Sequence, residues 1–341
     1  MSDPRRTAEG SDQRAGGPTP TYPSLTGTVG RTPLVDISVL VGHQIRLLAK
    51  LESRNPSGSV KDRVAVAMVD DAEHEGRLHA GMTLLEATGG NTGIGLALVA
   101  AERGYPLILT MPSAMSSERV ALLRHLGAEV VLTSGILMAE AKEAAEHLAA
   151  TRSDVLYLDQ FTNPSNVAAH VRTTGPEIWA GTGGAVDAVV SAVGTGGTLT
   201  GTMSYLRTKK PSVRAVAVEP ASSAVLSGGA PGQHKMPGIG VGFVPPLLDR
   251  SLIYVTVPVS DDDAYAMCRR AASECGLLCG PSGGAALKAA IDQASDPSSS
   301  DSTVVVILAD SAERYVTTDL LTEVSEIPRA PGVNQDGPRQ R

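Results

Sequence analysis

Ala188-Val189-Val190-Ser191-Ala192-Val193-Gly194-Thr195-Gly196-Gly197-Thr198-Leu199-Thr200-Gly201 joins a small apolar β run to a glycine-rich loop and then to a helical pattern. A loop of this kind, with its backbone N–H groups free at a helix start, is a phosphate cradle in form. A dinucleotide fingerprint reads G-x-G-x-x-G. Gly194 and Gly196 fit it, but Leu199 stands at the third glycine. Glu219, at the end of the next apolar run, could still bind a ribose, so a nucleotide-binding oxidoreductase stays open as an alternative. No Gly-Lys-Ser/Thr follows, which removes the P-loop. A monophosphate needs only the cradle.

The same alternation runs along the chain. Strands are expected at 45–50, 83–86, 107–111, 129–133, 188–192, 215–219 and 303–309, and helices at 62–75, 92–103, 117–126, 137–150, 199–207, 261–274 and 284–291. The last strand begins Thr303-Val304-Val305-Val306-Ile307-Leu308, a continuous apolar run that suits burial on both faces. Gly104 and Gly127 fall where left-handed helix ends are expected. Alternating strands and helices define an α/β fold, and more than seven units imply two parallel sheets.

The chain has 341 residues, 42% apolar and 19% charged, with 29 Lys+Arg against 36 Asp+Glu and a formal charge of −7. That is a globular composition without the basic patch of a nucleic-acid binder. The longest apolar run, positions 94–101, falls far short of the roughly 20 residues a bilayer needs, so no membrane partner is expected. The first 21 residues and residues 326–341 are polar and proline-bearing, and are expected to be disordered. Positions 295–302 read as a surface loop. The charged N-terminus has no apolar segment behind it, so no secretory signal is read. Three cysteines, Cys268, Cys275 and Cys279, lack zinc spacing and fit buried small hydrophobes in a reducing cytoplasm; no metal is expected.

Three further segments could carry chemistry. In Asn55-Pro56-Ser57-Gly58-Ser59-Val60-Lys61-Asp62, Asn-Pro and Ser-Gly mark a loop, and Ser59 with Asp62 suggests a capping box. Lys61 then sits in a first helical turn, where positive potential and burial both favour the neutral amine that a Schiff-base lysine needs. A solvated lysine in a poor location is the bland alternative. In Thr83-Leu84-Leu85-Glu86-Ala87-Thr88-Gly89-Gly90-Asn91-Thr92-Gly93, a strand ends in small polar residues that either expose N–H groups to a carboxylate or merely make a tight turn. Gly280-Pro281-Ser282-Gly283-Gly284 matches the G-x-S-x-G nucleophile elbow, but all seven histidines precede Ser282, against the hydrolase order. Ser282 is better read as a hydroxyl at a helix start.

Together these segments resemble the fold-type II pyridoxal-phosphate enzymes, within them the cysteine synthase and cystathionine β-synthase group. Gly30-Arg31-Thr32-Pro33-Leu34, Gln160-Phe161-Thr162-Asn163-Pro164, Thr174-Gly175-Pro176-Glu177 and Gly238-Ile239-Gly240 join the motifs above in carrying the resemblance, from Tyr22 to about Thr322. It implies a larger cofactor domain, 22–52 and 162–325, and a smaller mobile domain, 53–161, inserted in it. It implies pyridoxal 5'-phosphate held by Lys61. Asn91 would bond the ring's phenolic oxygen. Gly194, Thr195, Gly196, Gly197 and Thr198 would hold the phosphate, and Ser282 would meet the pyridine nitrogen. Thr88, Gly89, Gly90, Asn91 and Thr92, with Gln160, would hold the substrate carboxylate. The implied reaction is β-replacement on an O-activated L-serine through an aminoacrylate, with sulfide as the nucleophile and L-cysteine as product. Homocysteine, thiosulfate or an amine are alternative nucleophiles, and a homodimer is the expected assembly. The family loop usually reads Thr-Ser-Gly-Asn-Thr. Here Gly89 replaces the serine, which removes a hydroxyl near the substrate or nucleophile.

Overall fold

A computed structural model describes residues 21–42, 45–135, 138–294 and 302–322. The two expected tails and the 295–302 loop lie outside the described residues, apart from Thr21 and Ser302, and so does Leu137 at the expected start of a helix.

Ten strands form two sheets. They are β1 (Leu34–Asp36), β2 (Arg46–Leu51), β3 (Thr83–Ala87), β4 (Leu107–Pro112), β5 (Glu129–Thr133), β6 (Val155–Tyr157), β7 (Val186–Ala192), β8 (Arg214–Pro220), β9 (Val255–Val259) and β10 (Thr303–Leu308). The larger sheet has the order β1-β2-β10-β7-β8-β9 and the smaller β5-β4-β3-β6. All pairs are parallel except β1 with β2. The helices are α1 (Lys61–His74), α2 (Asn91–Arg103), α3 (Ser117–His125), α4 (Met138–Thr151), α5 (Pro164–Arg172), α6 (Thr174–Gly181), α7 (Gly197–Lys209), α8 (Asp261–Cys275), α9 (Pro281–Ala294) and α10 (Asp319–Thr322).

The parallel strands explain their own sequences. In β10, Val304, Val306 and Leu308 join one core cluster while Val305 and Ile307 join another across the sheet. Both faces are covered, so the run is apolar throughout. The smaller sheet divides likewise: Leu84 and Leu109 face one cluster, Leu85 and Ile108 the other. Gly104 ends α2 at φ 75°, and Gly127 follows α3 at φ 93°, as their positions imply.

Six strands and helices escape the sequence reading, one of them the four-residue α10. Strands β1 and β6 have three residues each, too few to show a period. Strand β9 contains Pro258, which a sheet tolerates at an edge, and β9 is the edge. Helix α5 opens with an Asn163 cap, whose side chain accepts from Ser165 N–H, and Pro164 in the first turn; α6 follows it after one residue. The capping box is corrected as well. Helix α1 is preceded by Val60, not capped by a side chain. Ser59 Oγ accepts from Lys61 N–H at 3.2 Å, while the Asp62 carboxylate takes the Ser57 N–H at 2.6 Å and the Ser57 hydroxyl. The loop closes on itself, and Lys61 opens the helix.

One buried ion cluster ties the two sheets' elements together. Arg63 of α1 donates to Glu52 after β2 (Nε–Oε2 2.7 Å) and to Glu177 of α6 (Nη1–Oε1 2.7 Å). Lys50 reaches the same Glu177 at 2.6 Å, and Thr32 Oγ1 donates to Glu52 at 2.7 Å. The two arginine–glutamate contacts hold both carboxylates well inside their ionised range, Glu177 at about 2 although burial opposes it. Removing one partner would strand buried charge. Arg63→Ala is therefore expected to cost about 3–5 kcal/mol, read as a lower urea midpoint in equilibrium unfolding.

Candidate active site

The functional candidates arrive at the carboxyl ends of parallel strands, the edge of an α/β sheet where ligands bind. Strand β2 leads into the 55–60 loop and Lys61, β3 into residues 88–92, β6 into Gln160, β7 into 194–198, and β10 into Asp310. Helix N-termini follow three of these strand ends, at Lys61, Asn91 and Gly197. All three helices thus begin at the same edge of the fold.

The glycine loop is shaped by what lies beneath it. Gly196 takes φ 84° before α7, and a Cβ there would meet Leu248 Cβ at 2.7 Å. A Cβ on Gly194 would lie 2.2 Å from Gly238 O, and one on Gly197 2.0 Å from Asn166 Oδ1. Side chains are excluded, so the backbone itself lines the loop, with Gly197 N–H donating to Thr195 Oγ1 at 3.4 Å. Thr195 Oγ1 accepts from Asn166 Nδ2 at 3.0 Å. Thr198 Oγ1 lies 3.1 Å from His170 Nε2, whose Nδ1 meets Thr174 Oγ1 at 2.8 Å. Burial, with Arg63 and Lys61 nearby, pushes the His170 pKa well below its usual value, so the ring is neutral. The cradle therefore offers N–H groups, hydroxyls and a helix dipole with no carboxylate. That donor set fits a monophosphate.

Thr88, Gly89, Gly90, Asn91 and Thr92 form one loop that meets Gln160 through Thr92. Thr92 Oγ1 donates to Gln160 Oε1 at 2.6 Å, and Gly90 N–H donates to Thr88 Oγ1 at 3.1 Å. Asp159, in the left-handed region at φ 46°, turns the chain that presents Gln160. Asn166 Nδ2 also donates to Gln160 O at 2.8 Å, so one amide joins the two loops. Below them Glu86 is buried and its pKa is pushed up to about 8 by desolvation and then Asp159, while Gln160 N–H donates to it at 3.3 Å.

Lys61 is half-buried with its amine enclosed. Burial pushes its pKa down to about 8, and the Asp310 carboxylate partly opposes the fall. A lysine so tuned supplies the neutral amine that attacks a carbonyl. Ser282 is buried in the first turn of α9. Glu219, the ribose candidate, is already committed. Its carboxylate accepts from Leu226 N–H (2.7 Å), Ser227 N–H (2.9 Å) and the Ser227 hydroxyl (2.6 Å), which removes the nucleotide reading.

Asn166, His170, Asp310, Arg314 and Tyr315 belong to this region but escape the sequence reading. Asn166 and His170 stand four apart on α5, a spacing that puts them on one face. Asp310 to Tyr315 follow the most apolar strand directly, the position where a site loop belongs. Of the three thiols, Cys268 and Cys279 are buried and Cys275 is half-buried; all are free.

A parallel-sheet fold with an enclosed lysine beside a carboxylate-free monophosphate cradle defines a cofactor-dependent enzyme of the Schiff-base type. Residues 25–310 match the family of pyridoxal-phosphate dependent enzymes, and the chain belongs to that family. It uses pyridoxal phosphate. It is 47% identical over 313 residues to cysteine synthase A of Salmonella typhi, covering 89% of this chain and 96% of the relative. The solved O-acetyl serine sulfhydrylase isoform 3 of Entamoeba histolytica superposes with a TM-score of 0.88 at 41% identity, covering 91% of this chain and 95% of that one. An O-ureido-L-serine synthase structure superposes with a TM-score of 0.87 at 39% identity, covering 91% and 98%.

Gly89 has a spatial reason. A Cβ there would lie 2.3 Å from Met115 Sδ and 2.8 Å from Met115 Cγ, so the thioether occupies the room a side chain would need. Arg119 Nη1 donates to Gly89 O at 2.9 Å and holds the loop against that thioether. Gly89→Ser is expected to destabilise by about 1 kcal/mol. The double variant Gly89→Ser/Met115→Ala should lose less than the two single changes sum to, checked by a double-mutant cycle on thermal unfolding.

Proposed function

We propose that this chain catalyses β-replacement on an O-activated L-serine, O-acetylserine foremost, and forms L-cysteine from sulfide. The observation that carries the reading is the enclosed Lys61 at the mouth of a site that joins a monophosphate cradle to a carboxylate-binding loop. Similarity to cysteine synthases over nearly the whole chain supports it.

Lys61 Nζ would hold the cofactor. Residues 194–198 would take its phosphate on backbone N–H groups and the Thr195 and Thr198 hydroxyls. Asn91 would take the phenolic oxygen. Ser282 would meet the pyridine nitrogen with a neutral hydroxyl. Pyridoxal phosphate, when bound, supplies an electron sink for charge developing at the substrate Cα. Thr88, Gly89, Gly90, Asn91, Thr92 and Gln160 bind and orient the substrate carboxylate on N–H groups and hydroxyls. That fixes Cα within reach of Lys61 Nζ. With a pKa near 8, Nζ can take the Cα proton and later return it near neutral pH. Neutral His170 keeps charge away from the cradle's rear wall.

Residues 53–161 form the smaller unit in this reading and close over the larger, 22–52 with 162–325, when substrate enters. The separate core around Leu84, Leu96 and Leu109 supports such a division. The enzyme acts on small molecules. Among the described residues no helix is long and apolar enough to cross a membrane. We place the enzyme in the cytoplasm as a homodimer; three free thiols support the first and the family resemblance the second. The wall of Gly89 and Met115 favours a second reading, in which another nucleophile replaces sulfide: homocysteine, thiosulfate or an amine.

The purified protein should be yellow, and O-acetylserine should move its visible band to longer wavelength, with cysteine released on adding sulfide. Lys61→Ala should abolish turnover. A colourless protein that takes up no pyridoxal phosphate would sink the reading, whereas a yellow one indifferent to O-acetylserine would redirect it to another donor. The amine's protonation gives a second check. Only neutral Nζ captures an aldehyde, so pyridoxal phosphate uptake by the cofactor-free protein should rise with pH and level off above about 8, well below the 10.5 of an ordinary lysine.

A further inference from the structure

Asp310 lies at the junction of three segments of the candidate site. Its backbone bridges Ser59, two residues before Lys61, and the adjacent Val60 N–H donates to Ala309 O at 2.8 Å. Its carbonyl accepts from Gly280 N–H at 3.4 Å, two residues before Ser282. Its Oδ2 accepts from Asn91 Nδ2 at 2.7 Å and from the Tyr315 hydroxyl at 2.6 Å. The carboxylate is 2% exposed, yet Oδ1 is buried with no hydrogen-bond partner. Such an orphan acceptor is costly and asks for a reason. Room is kept for it: a Cβ on Gly280 would lie 2.2 Å from Oδ1.

The charges around Asp310 are specific. Lys61 approaches from α1, Arg119 from α3, and Arg314 and Tyr315 from the turn at Ala312–Tyr315; the Cys279 thiol lies behind. Among them, Arg314 Nη1 donates to Asn91 Oδ1 at 3.1 Å and Nη2 to Ser57 O. The Asn91 amide is thus clamped at both ends, its oxygen by a guanidinium and its nitrogen by a carboxylate. One Nδ2 hydrogen remains for another acceptor.

We propose that Asp310 is the positioning residue and counter-charge of this site: Oδ2 fixes the Asn91 amide, and the buried carboxylate, held by its backbone against the Ser59–Val60 segment that leads into Lys61, compensates the Lys61 ammonium whenever that lysine is detached from the cofactor. This rests on the reading of Lys61 as the cofactor lysine. No bond forms or breaks at Asp310, and no proton passes to it. Its charge stabilises the protonated amine, which would otherwise stand uncompensated in a buried site.

Uptake of pyridoxal phosphate by the full-length, cofactor-free chain tests this without reference to turnover. Asp310→Asn keeps the shape and removes the charge, so the pH midpoint of uptake should fall by about one unit. Asp310→Ser should behave alike, and Asp310→Glu, which keeps the charge, should hold the midpoint closer to that of the parent. A merely structural role predicts no such ranking, with Glu as damaging as Ser and no displacement of the midpoint in a folded Asn variant. That result overturns the inference. If Asp310→Asn does not fold, the Ser and Glu variants decide by the same ranking. Failure of the unaltered chain to take up pyridoxal phosphate at any pH would instead overturn the reading of Lys61 itself.

Discussion

The guanidinium of Arg63 between Glu52 and Glu177 is the constraint on which the site depends. It lies two positions after Lys61, and it joins the start of α1 to the end of β2 and to α6. Lys50 balances the second carboxylate, so the cluster carries two positive and two negative charges. Burying four charges is tolerable only with every partner in place. The geometry is therefore intolerant of drift, and the first turn of α1 inherits that rigidity. The cost of desolvation is turned into orientation: the first turn of α1, which carries Lys61, cannot tilt without breaking the cluster.

Around this anchor the site divides its electrostatics. The cradle at 194–198 is lined by N–H groups, hydroxyls and a neutral imidazole, and it awaits negative charge. The Lys61 side has one carboxylate, Asp310, balanced by Arg119 and Arg314. Beneath the substrate loop Glu86, with a pKa near 8, is mostly protonated at neutral pH and adds no charge to the floor. Anionic groups of a ligand thus meet donors at two ends, and the titrating amine lies between them.

Much of this was legible in the chain. The strand–glycine–helix units at 83–95 and 188–201 showed both loops, and Lys61 stood out because a lysine is electrostatically misplaced in a first helical turn. What stayed hidden depends on distant partners. Asp310, Arg314 and Tyr315 look like ordinary polar residues after a strand, and only the packing of β10 against β2 brings them to Lys61 and Asn91. Asn166 and His170 lie on a helix too short and mixed for its period to show. The Ser59–Asp62 pattern misled because the Asp62 side chain found a nearer partner, Ser57, in the folded loop.

The contact between Gly89 and Met115 also bears on how such a chain can change over time. The thioether fills the room a side chain at 89 would take, and as the end of a flexible side chain it can swing aside at a modest cost. The two positions are therefore coupled: a larger residue at 89 is accommodated most easily when residue 115 is small. A change at either position is felt at the other, and the present glycine leaves its neighbour its room.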